Sequence, residues 1–83
     1  MKCERQAHGF IVNAKGKINH IKLAEIIKDC EILGIHVLTP VDIMVISDTL
    51  NQAKGTRNIV KSKGFSVSEV TDVFIPKDIL TRG

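Results

Sequence analysis

The sequence predicts a small, mainly α-helical domain that begins with one short strand and ends in two helices joined by a glycine turn. Apolar residues recur at intervals of three and four between residues 19 and 33, as they do along an amphipathic helix. Residue patterns typical of helix starts recur in the second half of the chain. With 83 residues, 43% apolar and 25% charged, the chain is expected to form a single globular domain over residues 1–83.

The first predicted element is a short strand or extended arm at residues 7–13. Its centre contains the β-branched pair Ile11 and Val12, and residues 14–17 include a glycine between two lysines, which is typical of a turn. The amphipathic helix at residues 19–33 comes next. Its apolar face consists of Leu23, Ile26, Ile27, Cys30 and Leu33. Gly34 is predicted to end this helix, so that residues 1–37 contain one strand and one helix.

Residues 38–55 allow two interpretations, which lead to different folds. In the first, Thr39 and Pro40 begin a helix that runs to Lys54 before Gly55. In the second, residues 41–46 form a buried parallel strand and Asp48 caps a helix over residues 49–63, which gives a small α/β domain of βαβαβ order. The first is preferred, because Gly55 inside a helix costs about 1 kcal/mol and a Thr-Pro start has no role in a central strand.

The C-terminal half is predicted to contain two more short helices. Residues 56–63 form a basic helix that ends at Gly64. Ser66 and Glu69 have the spacing of a capping box, and Val67, Val70 and Val73 or Phe74 recur at three and four. These features predict a final helix over residues 67–74, which Pro76 ends.

Positive charge is concentrated in residues 54–63, which carry four cations and no acid. These cations are Lys54, Arg57, Lys61 and Lys63. Such a cluster favours a polyanion or an acidic protein surface as the partner, although a solvated helix face has the same composition.

Residues 38–75 resemble the helix-turn-helix of LuxR-type and MarR-type transcription regulators, and residues 64–73 also resemble the turn and second helix of LacI-type repressors. The resemblance rests on Leu38-Thr39-Pro40, Gly55, Ile59-Val60, Gly64-Phe65-Ser66 and Val70. In this motif a glycine with a left-handed conformation forms the turn, a serine caps the second helix, and apolar residues on either side hold the helices together. Gly64, Ser66, Val60 and Val70 stand at those positions.

The resemblance implies a double-stranded DNA-binding protein that regulates transcription. The second helix of such a motif enters the major groove, and its exposed residues here are Ser66, Ser68, Glu69, Thr71 and Asp72. The four cations of residues 54–63 would contact phosphates.

A chain this short is expected to act as a homodimer, joined by the first helix or by the strand at residues 10–12. The alternative is a non-enzymatic adaptor or inhibitor of the kind that a phage or other mobile element encodes, which binds an acidic protein through the same basic surface. Glu69 and Asp72 suit such a partner better than DNA.

Other function classes find little support in the sequence. The histidines His8, His20 and His36, with Cys3 and Cys30, match no metal-binding motif, and no cofactor or enzymatic activity is predicted. Two cysteines are too few for a disulfide scaffold, which favours a reducing, cytoplasmic location. The chain has no run of 18 apolar residues, so no membrane span is expected.

Overall fold

The computed structural model describes residues 4–76, which form one antiparallel sheet with two helices packed on one face. The strands are β1 (Glu4–Asn13), β2 (Gly34–Val37), β3 (Asp42–Ser47), β4 (Ser66–Val67) and β5 (Thr71–Pro76). Helix α1 (Lys17–Ile27) lies between β1 and β2 in the chain, and α2 (Leu50–Ser62) lies between β3 and β4. The protein is therefore a small α/β domain, and the predicted mainly α-helical fold is wrong.

The sheet has the strand order β2-β3-β1, with β4 and β5 sharing the second edge of β1. β4 pairs with Val12 and Asn13, and β5 pairs with residues 4–9. If β4 and β5 are taken as one strand interrupted at residues 68–70, the element order is βαββαβ, which is the ferredoxin-like arrangement. Proteins of this arrangement have many functions, so the fold alone does not identify one.

The hydrophobic core lies between the sheet and the two helices. Phe10 is opposite Val45 in the sheet and Val12 is opposite Ile43, so these four side chains share the helix-covered face. Leu23 and Ile27 of α1 and Val60 of α2 pack against them, and all seven are buried. The core is aliphatic apart from Phe10, and it holds both helices on β1 and β3.

The predicted N-terminal strand and the helix after it are both present, but their lengths differ from the predictions. The strand is present as β1, and α1 has Leu23 and Ile27 on its buried face. The helix ends at Ile27 rather than at residue 33, because Leu33 N–H donates to Ile46 O at 2.7 Å and directs the chain into β2. Gly34 therefore begins a strand instead of ending a helix.

Residues 42–47 form β3, so the preferred prediction of a helix from Pro40 to Lys54 is wrong. The Thr39 hydroxyl accepts from Asp42 N–H at 2.9 Å, as a helix cap would. The chain then extends because β3 is paired on both sides, with β1 and with β2. The alternative interpretation was right about this strand and about the helix after it, but the strand is antiparallel and the order is not βαβαβ.

Helix α2 begins with a capping box that the predictions placed elsewhere. Thr49 and Gln52 form it, since each side chain bonds to the other's backbone N–H. Gly55 lies inside the helix. Gly64 follows the helix with φ +100°, the positive φ expected of a turn glycine. The predicted helix over residues 67–74 is wrong, because these residues belong to β4, β5 and the break between them.

The strand at residues 10–12 cannot form the predicted dimer contact. It belongs to β1, which pairs with β3 on one side and with β4 and β5 on the other. A strand paired on both sides has no free backbone groups to offer another molecule.

Candidate functional site

The four cations of residues 54–63 have different environments. Lys54, Lys61 and Lys63 are exposed. Arg57 is not free: its Nε donates to Ser68 O at 2.6 Å, and its Nη2 lies 3.6 Å from a carboxylate oxygen of Glu69. Only 18% of the Arg57 side chain is exposed. Arg57 therefore holds the break between β4 and β5 in place.

The residues predicted to contact bases do not lie on a helix. Ser66 is in β4, Ser68 and Glu69 are in the break, and Thr71 begins β5. Ser68 is half-buried, and its hydroxyl accepts from Ile11 N–H at 2.8 Å. The predicted recognition helix, which was to contain these residues and Asp72, is therefore absent from the described residues. Contact between the protein and DNA without such a helix stays a prediction.

A polar cleft with a volume of about 310 Å³ opens where β1, α1 and the turn after α2 meet. Three of its lining residues are lysines and two are asparagines. The lining residues are Asn13, Lys15, Asn19, Lys22, Lys63, Gly64, Phe65 and Ser66. No acid, histidine or cysteine is among them. The cleft therefore has an excess of positive charge and of hydrogen-bonding amides.

The turn between β1 and α1 shapes one side of this cleft. Gly16 has φ +88°, which allows the chain to reverse directly into the helix. The Asn19 side chain donates to Lys15 O at 2.7 Å, which holds the turn against the first turn of α1. Among the described residues no side chain caps this helix, and its first turn carries no acid, so nothing described there neutralises the partial positive charge of its N-terminal N–H groups.

The second side of the cleft comes from the turn after α2. Gly64, with its positive φ, reverses the chain from the end of α2 towards β4. Lys63 and Ser66 stand on either side of this turn and are exposed. Phe65 between them is half-buried and packs against the core, which anchors the turn.

None of the three lysines in the cleft forms an ion pair within the described residues. Asp42 is bonded to one lining residue: it accepts from Asn13 Nδ2 at 3.2 Å, and also from the Thr39 hydroxyl at 3.1 Å. Lys63 belongs to the predicted basic cluster, but Lys15 and Lys22 do not. The glycine turn between two lysines directly before an amphipathic helix is a sequence signal for Lys15. No local signal distinguishes Lys22 from the other charged residues of α1.

A second group of polar residues crosses three strands at one end of the sheet. His8 on β1 is opposite Ser47 on β3 and opposite Asp72 on β5, so the three share the helix-covered face. His8 Nδ1 lies 3.2 Å from Asp72 Oδ1, within ion-pair distance but without hydrogen-bond geometry. The Ser47 side chain is fully buried, and its hydroxyl has no hydrogen-bond partner among the described residues. The row resembles a nucleophile-base-acid set only in composition, because a substrate cannot reach Ser47.

Neither a metal site nor a membrane-spanning helix is found among the described residues. Between residues 4 and 76, no three side chains of His, Cys, Asp or Glu cluster as a metal site requires. Cys3, one of the metal ligands considered from the sequence, lies outside this range. Neither α1 nor α2 is long and apolar enough to cross a membrane.

Comparison with known proteins leaves the cleft as the main guide to function. No protein-family model, no curated protein and no solved structure matches this chain.

Proposed function

We propose that this protein is a non-enzymatic binding domain whose ligand is a small anion, a carboxylate or a phosphate, held in the polar cleft. The observation that carries the proposal is that Lys15 before α1, Lys22 within α1 and Lys63 after α2 line one cleft with no acid among the lining residues. Like charges repel one another, so such a group is stabilised when an anion lies between its members. The uncapped N-terminus of α1 adds partial positive charge beside the cleft.

The size and polarity of the cleft favour a small polar ligand. Its volume of about 310 Å³ lies at the lower limit for small-molecule sites. The asparagine amides and the Ser66 hydroxyl can hydrogen-bond a ligand, and Phe65 is the only aromatic residue in the lining. A ligand with one or two acidic groups and few apolar atoms suits this composition.

The lining residues favour binding over catalysis. A hydrolytic or proton-transfer reaction needs a general base such as His, Asp or Glu close to the reacting group. The cleft offers lysines, amides and one hydroxyl. These groups can hold and orient an anion, and the lining contains no His, Asp or Glu that would act as a general base towards the Ser66 hydroxyl.

The experiment is an NMR titration of the ¹⁵N-labelled protein with inorganic phosphate and, separately, with succinate. Saturable amide shifts are expected around Gly16 and Gly64, at opposite sides of the cleft. The double variant Lys15→Gln with Lys63→Gln is expected to bind about tenfold more weakly, because each exposed charge contributes up to about 1 kcal/mol. The control is Lys54→Gln with Lys61→Gln, which removes the same charge from α2 outside the cleft. Absence of saturation, or equal losses in both variants, contradicts the proposal.

The same variants test the earlier prediction of DNA binding. Lys54, Lys61 and Lys63 remain exposed and could contact a polyanion without a recognition helix. If a DNA duplex binds with a strong salt dependence and both double variants lose affinity equally, the basic surface as a whole is the site. That result would favour the nucleic acid and would replace the small-anion proposal.

A further inference from the structure

Strand β2 has one side without a partner in the described sheet. It pairs only with β3, and Leu38 N–H donates to Asp42 O at 2.9 Å just beyond the strand. Residues 38 and 42 are directly opposite in the β2–β3 register, and in antiparallel pairs the bonded and non-bonded positions alternate. His36 therefore bonds towards β3, whereas Ile35 and Val37 direct their N–H and C=O groups away from the sheet.

The side chains along this edge are apolar and exposed. Ile35 is 50% exposed and Val37 is 58% exposed, although both lie on the helix-covered face opposite the buried Val45 and Ile43. Residues 32–41 contain no charged residue. Exposed edge strands ordinarily carry a lysine, an internal charge or a proline that prevents pairing with another strand. β2 has none of these.

We propose that β2 pairs in antiparallel fashion with β2 of a second copy of this chain, about a two-fold axis at His36. In this register Ile35 of each copy lies opposite Val37 of the other. All four outward N–H and C=O groups of each strand then take part in hydrogen bonds between the copies. The two sheets become one continuous antiparallel sheet.

A second copy fits this edge better than an unrelated strand for two reasons. The outward backbone groups and the apolar side chains are arranged symmetrically about His36, as an interface between two identical surfaces requires. The strand carries no charge, so the two-fold axis brings no Lys, Arg, Asp or Glu of the strand against its own copy. The contact is short, and a dissociation constant in the micromolar range is expected.

The first test is sedimentation velocity of the full chain across a wide concentration range. We expect a reversible shift from monomer to dimer. Ile35→Lys is expected to raise the dissociation constant at least about tenfold, because the contact would bury an unpaired charge. Val37→Pro removes an N–H that points away from β3, so it should prevent dimerisation while keeping the circular dichroism spectrum. The control Ile59→Lys, at a residue that is 45% exposed on α2, should dimerise like the parent chain.

The register is tested by cross-linking. His36→Cys, combined with Cys3→Ser and Cys30→Ser, places one thiol on the two-fold axis, where the two Cβ atoms are near enough for a disulfide. Rapid formation of a covalent dimer is expected, and Ile59→Cys in the same background should not cross-link at that rate. A monomer at every concentration, or dimers that Ile59→Lys dissociates and Ile35→Lys does not, would overturn the proposal.

Discussion

The β2 edge and the β4–β5 edge both have an unpaired side in the described sheet, but only the second is interrupted and braced. Along the β4–β5 edge, residues 68–70 leave the strand, and Arg57 reaches from α2 to bond Ser68 O at 2.6 Å. Along β2, no side chain between residues 4 and 76 is described as bonding the outward backbone groups of Ile35 and Val37. The β4–β5 edge is therefore irregular and held at its break by Arg57, whereas no such contact is described along β2.

Arg57 and Lys63 have the same charge and lie close together in the chain, but they have different surroundings in the folded protein. Arg57 is part of a sequence cluster that predicts phosphate binding, yet it stabilises an irregular strand within the protein. Lys63, six residues further along the chain, lines the cleft and forms no ion pair within the described residues. The two cations differ in surroundings because Arg57 lies within α2, in reach of the break at residues 68–70, whereas Lys63 follows the end of α2.

The largest effect on stability is expected from Arg57→Ala, which removes the hydrogen bond between Arg57 and Ser68 O. Ser68 O would lose a charge-assisted hydrogen bond, and we expect a loss of about 1–3 kcal/mol in the free energy of unfolding. The ion pair with Glu69 adds little, because the Glu69 side chain is 91% exposed. Urea denaturation measures the loss. Lys54→Ala, on the same helix, should change stability by less than about 0.5 kcal/mol, and an equal loss there would contradict the assigned role of Arg57.

Ser68→Ala is expected to have the next largest effect. The Ser68 hydroxyl accepts from Ile11 N–H at 2.8 Å, so its removal leaves a half-buried donor on the central strand without this partner. A loss of about 1–2 kcal/mol and faster hydrogen exchange at the Ile11 amide are expected. Ser66→Ala serves as the control, because Ser66 is exposed and its side chain makes no hydrogen bond among the described contacts. Unchanged exchange at Ile11 would show that the hydroxyl does not hold the break.

Gly55→Ala should stabilise α2, the helix that contains Arg57. A Cβ at Gly55 would meet no atom within 4 Å, and the residue lies inside α2. A gain of about 0.5–1 kcal/mol is expected in thermal or urea unfolding. Gly64→Ala is the opposite case, because φ is +100° there and a side chain is strained at that angle. Stabilisation by both substitutions would contradict this explanation.

The smallest effect on the folded monomer is expected at the open edge. Val37→Lys should change the free energy of unfolding by less than about 0.5 kcal/mol when measured at concentrations too low for self-association, because the side chain is 58% exposed. At high concentration the same variant should lose the additional stability that dimerisation gives the parent chain. A large loss at low concentration would mean that this edge is already needed within the monomer.

Local signals in the sequence located several elements correctly. The β-branched centre of β1, the three-and-four spacing of Leu23 and Ile27 in α1, and the turn glycine at Gly64 are all present as predicted. Other signals were ambiguous. Thr39 does bond Asp42 N–H as a helix cap does, but a strand follows. The spacing of Ser66 and Glu69 is that of a capping box, yet the box that forms is at Thr49 and Gln52.

The candidate site was only partly accessible from the sequence. Lys63 was identified as a binding residue because it lies in a run of cations. Lys15 and Lys22 are more than 40 residues away from it, and their proximity depends on how α1 and α2 pack on the sheet. The role of Arg57 was hidden for the same reason, because nothing near it in the chain shows that Ser68 O lies within its reach.

The sequence by itself determined which segments could be buried, where the chain could turn, and that the α2 region carries an excess of positive charge. The tertiary structure decided whether residues 42–47 and 67–74 became helix or strand. Both segments contain apolar residues at spacings that fit either form, so local preference was nearly balanced. The strand β1 presents unpaired backbone groups along both edges, and pairing with β3 on one side and with β4 and β5 on the other satisfies them. That requirement arises only when distant parts of the chain meet.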